Sequence, residues 1–282
     1  MARASLPPPP DDGDEIDANP AVGIKGCTAI YQPGPRGFEY TALVASPYLG
    51  CGHKCKYCSV PHTRHITRAS FDAGAIDRQT YRDKVVKEAA KYRDHGIFEQ
   101  ILIALTSDPY HPFDTSLTRE TYEILRYFDH SFCPLSKGGT RALRDIDLFR
   151  SDMDAYAATL TSMDERFWQR WEPDSAPPTD RAAALKVFYE HGIWTYGSLE
   201  PVIDIEETLG VIDATHEFVN HYKFGKPNYL SGSLVGRQDW DSNTKRICDR
   251  IIRYDRSGYC KLDLQQFLPP GWDNRMRRPQ HY

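Results

Sequence analysis

No stretch of this sequence approaches the ~20 consecutive apolar residues that a membrane span requires, so no membrane role is expected. The first residues, Met1 to Leu6, run into four prolines rather than an apolar signal core. No targeting segment is read there, and the expected location is the cytoplasm, where thiols stay reduced. A strong charge of one sign is also missing. Lysine and arginine number 35 against 39 acidic residues, a net charge of -4. That gives no global electrostatic case for nucleic acid and leaves room only for a local basic groove. Cysteines are few and odd in number, seven in 282 residues. In a long chain without a secretory signal, that argues against a disulfide framework and leaves the thiols free for metal.

Three of the seven lie close together. Residues 46–60, SPYLGCGHKCKYCSV, hold Cys51, Cys55 and Cys58 in a C-x3-C-x2-C spacing, with Gly50 and Gly52 beside them. Thiolates this close in a glycine-bearing loop can turn inward on one centre, but three of them cannot complete a four-thiolate site. On a four-iron, four-sulfur cluster they would hold three irons and leave one open to a small molecule. A zinc site with His53 or a distant cysteine as fourth ligand is the competing reading.

The rest of the chain is organised as a repeat of strand, loop and helix. A composition of 40% hydrophobic and 26% charged residues suits a globular core. Residues 1–20 are proline-rich and acidic, and are expected to be a disordered tail. Residues 21–230 form the expected core domain and residues 231–282 a C-terminal extension. Strands are expected at 40–45, 100–106, 131–136, 155–161, 193–199 and 222–230. Helices are expected at 80–95, 117–128, 143–149, 164–171, 180–191 and 206–218, with Thr179 capping the fifth. Six such units argue for parallel βα architecture, either a doubly wound sheet or a partial barrel. In the extension, 240–254 reads as an amphipathic helix whose apolar face is Ile247, Cys248, Ile251 and Ile252. The basic end, Arg275, Arg277 and Arg278, reads as a solvated tail.

The cysteine spacing, with Tyr57 before the last thiol and a strand before the loop, resembles that of radical S-adenosylmethionine (SAM) enzymes. Several segments are similar to the spore photoproduct lyase-like branch: SPYLGCGHKCKYC, LTSDPYHPFD, LSKGGTRALRDIDLF, ATLTSMDERFWQRWEPDSAPPTDRAAAL and GIWTYGSLEPVID. They span about residues 40–230. The resemblance implies an α/β fold of the partial (β/α)6 TIM-type barrel kind, with the cluster loop after the first strand. It implies a [4Fe-4S] cluster on Cys51, Cys55 and Cys58. It also implies SAM bound to the fourth iron and cleaved reductively to a 5'-deoxyadenosyl radical, with an electron donor such as flavodoxin or ferredoxin. Two departures stand out. The lyase carries a hydrogen-donating cysteine immediately before the Thr-Ser-Asp segment, where this chain has Leu105, and a tyrosine after the third cysteine, where it has Ser59.

In such folds chemistry sits at the carboxyl ends of the strands. The candidates there are Ser107 and Asp108 for the amino group or ribose of SAM, and Lys137, backed by Gly138 and Gly139, for its carboxylate. Thr161 follows the fourth strand and Glu200 the fifth. A carboxylate in a barrel mouth must be bound or paired, and Lys137 is the partner expected for Glu200. Tyr57 completes the cofactor-binding set. Cys133 and Tyr110 are candidates for hydrogen donor and radical relay, against the plainer reading of both as packed core residues. The expected function is hydrogen abstraction from a substrate, with nucleic acid one candidate by analogy with the branch. The alternative is a non-catalytic metal-binding module.

Overall fold

The computed structural model describes residues 22–230 and 238–276. The proline-rich tail, together with Arg277 and Arg278 of the basic end, lies outside the described residues. Ten strands form two sheets. The large one has the order β1-β2-β5-β6-β7-β8-β9-β10. Its strands are β1 (Ile30–Tyr31), β2 (Leu43–Ala45), β5 (Ile101–Ile103), β6 (Phe132–Ser136), β7 (Ala155–Thr159), β8 (Trp194–Leu199), β9 (His221–Phe224) and β10 (Ser257–Cys260). Only β1 runs antiparallel to its neighbour; every other pair is parallel. The sheet does not close, since β1 and β10 end the order. The architecture is therefore an open, partial TIM-type barrel, the one of the two arrangements left open by the βα repeat that the family resemblance implied. A small antiparallel pair, β3 (Tyr48–Leu49) with β4 (Ile76–Asp77), brackets the cysteine loop.

Helices α1 (Pro35–Phe38), α2 (Val60–Thr63), α3 (Arg68–Asp72), α4 (Tyr81–Asp94), α5 (Ser116–Tyr127), α6 (Glu165–Trp171), α7 (Pro178–Glu190), α8 (Ile205–Thr215) and α9 (Trp240–Arg253) fill the connections. A 3-10 segment, Gly139–Leu148, replaces the helix expected at 143–149. Alternation along the strands divides the molecule into an inside and an outside. Tyr156 and Ala158 of β7, with Tyr222 and Phe224 of β9, belong to the main core. Ala155 and Ala157 face the other way, with Cys133 and Tyr196. The two alanines of that inner face lie against the larger Tyr196, Leu135 and Trp194.

Three further expectations are corrected, and two strands were not anticipated. The fifth helix starts at Pro178 with Pro177 at its cap, not at Thr179; proline fits the first turn because it has no N–H to satisfy. The sixth strand stops at Phe224, well short of residue 230. Ile252 is 57% exposed and leaves the apolar face of α9 to Ile247, Cys248 and Ile251. The C-terminal segment also adds β10 in parallel register beside β9, and β1 was not anticipated, being two residues in a glycine-rich lead-in.

The lead-in is held by a buried carboxylate. Glu88 of α4 accepts the backbone N–H groups of Thr28 at 2.9 Å, Ala29 at 2.7 Å and Ile30 at 2.7 Å. Removing an acceptor from several enclosed donors is far more costly than the net worth of the bonds. Glu88→Ala is therefore expected to lower stability by at least ~2 kcal/mol, read as a shift in the urea midpoint at unchanged slope.

Candidate metal and cofactor site

The cysteine loop leaves β3 and is pinned on three sides. The Cys51 N–H donates to Phe71 O at 3.0 Å, and the Lys56 N–H to Trp171 O at 2.9 Å. The Arg68 guanidinium donates to Cys55 O at 2.5 Å. Gly50 opens the loop at φ +81°, where a Cβ would lie 2.3 Å from Gly74 O, so no other residue fits without moving the backbone. Cys55 is buried, and Cys51 and Cys58 are half-buried. Burial pushes the Cys55 thiol up to about 12, against the pull of the Lys137 ammonium. Burial also raises Cys51, and the neighbouring Asp108, Cys55 and Cys58 add to the effect. Cys58 is raised by burial as well.

Behind the loop stands Asp108, on the connection after β5. One of its oxygens accepts from Tyr110 N at 2.8 Å and Ser136 Oγ at 2.7 Å. The other accepts from Lys137 N at 2.7 Å and stands 3.2 Å from His53 Nε2. Burial works against the carboxylate, but His53, Ser136 and the Lys137 amide outweigh it and hold Asp108 well below the usual range. Both oxygens are thus occupied by the chain itself. His53 has its other nitrogen, Nδ1, 3.1 Å from Asp174 O. Both ring nitrogens face oxygen atoms, so His53 is not presented as the fourth ligand of a zinc site. Among the described residues no group of three or more His, Cys, Asp or Glu side chains is gathered for a single metal ion; what the loop offers is three separate thiols.

On the far side of the loop lies a buried ion pair, Arg181 with Glu172, each side chain 1% exposed. Glu172 also accepts from the Tyr57 hydroxyl and, at 3.3 Å, from Thr161 Oγ1. Arg181 donates to Thr159 O and Ala176 O, both at 2.8 Å. Lys137 places its ammonium 5.6 Å from the centre of the Tyr57 ring. Burial opposes that charge, but the field of Cys55, Glu172 and Asp108 outweighs it and holds the ammonium above its ordinary pKa. Ser107 Oγ is buried with no partner among the described residues.

The structure thus brings Cys51, Cys55, Cys58, Tyr57, Ser107, Asp108, Lys137 and Thr161 to one end of the sheet. Three expected members are elsewhere. Cys133 sits near the start of β6 on the inner wall with Tyr196, about 10 Å along the strand from Ser136 by the usual rise per residue. Tyr110 is fully buried in the main core, where its loop turns outward under the Asp108 bond. Glu200 pairs with Lys261 at 3.2 Å and lies 3.9 Å from Lys223, not beside Lys137. Gly138, expected to leave room for a ligand, instead admits Tyr110: a Cβ there would meet Tyr110 Cβ at 2.4 Å. Glu172 and Arg181 were missed. A signal existed, because Arg181 occupies the stripe of Ala184, Leu185 and Phe188 at helical spacing, an arginine on an apolar face.

A parallel α/β barrel with three thiols at its carboxyl end, and an ammonium that has no hydrogen bond among the described residues, has the make-up of a metal-dependent small-molecule site. Residues 45–219 match the Radical SAM superfamily, and the chain belongs to that superfamily. It is a radical SAM enzyme, and its cofactors are those of the family, a [4Fe-4S] cluster and SAM. The donor set fits them: three thiols in one loop, an orphaned buried hydroxyl and a held ammonium. An uncharacterized protein of Methanocaldococcus jannaschii is 28% identical over 191 residues, covering 64% of this chain and 68% of that protein. A spore photoproduct lyase variant with dinucleoside spore photoproduct shares the fold at TM-score 0.61 and 13% identity, over 88% of this chain and 78% of that one. SuiB of Streptococcus suis, bound to SAM, matches at TM-score 0.57 and 13% identity, over 77% of this chain and 49% of SuiB. At these identities the structural likeness is one of fold.

Gly50→Ala is expected to displace the cysteine loop. Anaerobic reconstitution of that variant should yield clearly less bound iron than the wild type, with a lower melting temperature, since the left-handed conformation alone costs an L-residue about 1–2 kcal/mol.

Proposed function

We propose that this chain binds its cluster through Cys51, Cys55 and Cys58, holds SAM with Lys137 and Ser107, and abstracts hydrogen from a substrate at the barrel mouth. The observation that carries the reading is the Lys137 ammonium, lodged over the Tyr57 ring, its charge favoured by the field of Cys55, with no ion pair among the described residues. Such a group is complementary to the carboxylate of an amino-acid ligand. When bound, the cluster and SAM supply a 5'-deoxyadenosyl radical. The chain's own share is to orient the ligand and exclude water and oxygen. Asp108 acts in this reading as a strut, because its oxygens are spent on His53, Ser136, Tyr110 and Lys137. Nucleic acid is the substrate class suggested by the fold shared with spore photoproduct lyase. Leu105 offers no thiol, so the lyase reaction itself is not part of the proposal. A small reduced flavodoxin or ferredoxin in the cytoplasm would serve as electron donor.

The test is anaerobic reconstitution with iron and sulfide, reduction with dithionite, addition of SAM and assay for 5'-deoxyadenosine. Product from the wild type and none from a triple cysteine-to-alanine variant supports the reading. A colourless, zinc-loaded protein that leaves SAM intact sinks it in favour of a metal-binding module. Cys55→Ala should fail to retain the cluster, measured as iron per chain. Lys137→Ala should keep its iron and bind SAM roughly tenfold or more weakly, the worth of a charge-assisted hydrogen bond; unchanged affinity would remove Lys137 from the site.

A further inference from the structure

Arg181 is the largest side chain that the described residues bury completely. Its partner Glu172 is equally enclosed, and the chemistry assigned above uses neither. A buried ion pair is a weak source of stability, because the desolvation of both charges offsets their attraction. Its surroundings point to another use. Glu172 gives one oxygen to Arg181 and the other to Tyr57 and Thr161. Its negative charge acts on Lys137 without bonding to it. The same Arg181 grips Ala176 O at 2.8 Å, and the Ala176 N–H donates to Lys137 O at 3.0 Å. Lys137 is therefore fixed twice, through its backbone by Ala176 and through its ammonium by the Tyr57 ring, and both lines of contact run back to the Glu172–Arg181 pair.

We propose that Glu172, anchored by Arg181, is a positioning residue for SAM: it locks the Tyr57 ring over which the Lys137 ammonium lies and so holds that ammonium where it meets the ligand carboxylate. The inference rests on the assignment of Lys137 to SAM. An uncharged residue at 172 would leave the buried Arg181 without its counter-charge and loosen the Tyr57 ring over which the Lys137 ammonium lies. Because Glu172 bonds the hydroxyl of Tyr57, two residues along the loop from Cys55, the same carboxylate places a negative charge beside any cluster held by that loop and disfavours an added electron there. Its removal therefore has a second readout of opposite kind.

The experiment compares anaerobically reconstituted wild type, Lys137→Ala, Glu172→Gln and Tyr57→Phe. Iron per chain, SAM affinity by equilibrium dialysis and the cluster midpoint potential without SAM are measured on each. Glu172→Gln is expected to keep its iron, bind SAM roughly tenfold more weakly and show a more positive midpoint potential. Wild-type SAM affinity and potential, with only a lower melting temperature, would make the pair a structural element and overturn the proposal. If Lys137→Ala binds SAM as well as the wild type, the assignment of Lys137 fails and the proposal falls with it, an outcome distinct from an inert Glu172→Gln beside a weakened Lys137→Ala. Should Glu172→Gln lose its iron, Tyr57→Phe decides. It keeps the ring under Lys137 and the ion pair intact and cuts only the phenol bond, so weaker SAM binding supports the proposal and unchanged binding overturns it.

Discussion

The site depends on one enclosed carboxylate. Asp108 joins three strand connections at a point where no water is available to satisfy them. It faces His53 of the cysteine loop, accepts from the side chain that ends β6, and takes the amides of Tyr110 and Lys137. Without it the cysteine loop, the connection after β5 and the end of β6 would each carry an unpaired buried group. The orientation of the three thiols relative to Lys137 is thus set by a residue that has no oxygen left for a ligand.

A second layer of charge governs what the site can hold. Lys137, Arg181 and Glu172 form a group of two cations and one anion, with Arg181 and Glu172 buried and Lys137 half-buried. The anion is fully committed to Arg181, Tyr57 and Thr161, which leaves one positive charge uncompensated by contact. Low-dielectric surroundings make such a charge expensive to leave alone and strongly attractive to a carboxylate. The cationic side of the site is therefore prepared before any ligand arrives, which reduces the ordering that binding must impose.

The fold was largely legible because its signals are local and periodic. Residues 100–106 read as a strand apolar on both faces and 155–161 as a strand, and shorter strands form there, Ile101–Ile103 and Ala155–Thr159; the cysteine loop was found from its spacing. Legibility failed where position depends on distant partners. Asp108 looked like a ligand because a sequence shows a carboxylate at a strand end but not the three connections that converge on it. Glu200 was matched to Lys137, a lysine expected at another strand end facing the same mouth, whereas register brings Lys223 and Lys261 to it. Tyr110 and Cys133 were placed by proximity along the chain. The direction of a turn sends Tyr110 outward into the core, and strand rise leaves Cys133 at the far end of the barrel.

The contact between Glu39 and the C-terminal segment has a kinetic meaning. Glu39 precedes β2, and its carboxylate accepts the Leu262 N–H at 2.8 Å across 223 residues of sequence, with Lys261 at 3.7 Å. The two sheet edges are not joined by a ladder, so this charged stitch is what holds the lead-in to the last strand. Contacts of such long sequence separation form late, after the loop-closure entropy of the intervening chain has been overcome. A chain still on the ribosome can assemble its first βα units, and can complete the anchors of its cysteine loop once Trp171 and Asp174 have emerged, yet must wait for residues 261 and 262 before this stitch across the barrel's open side can form.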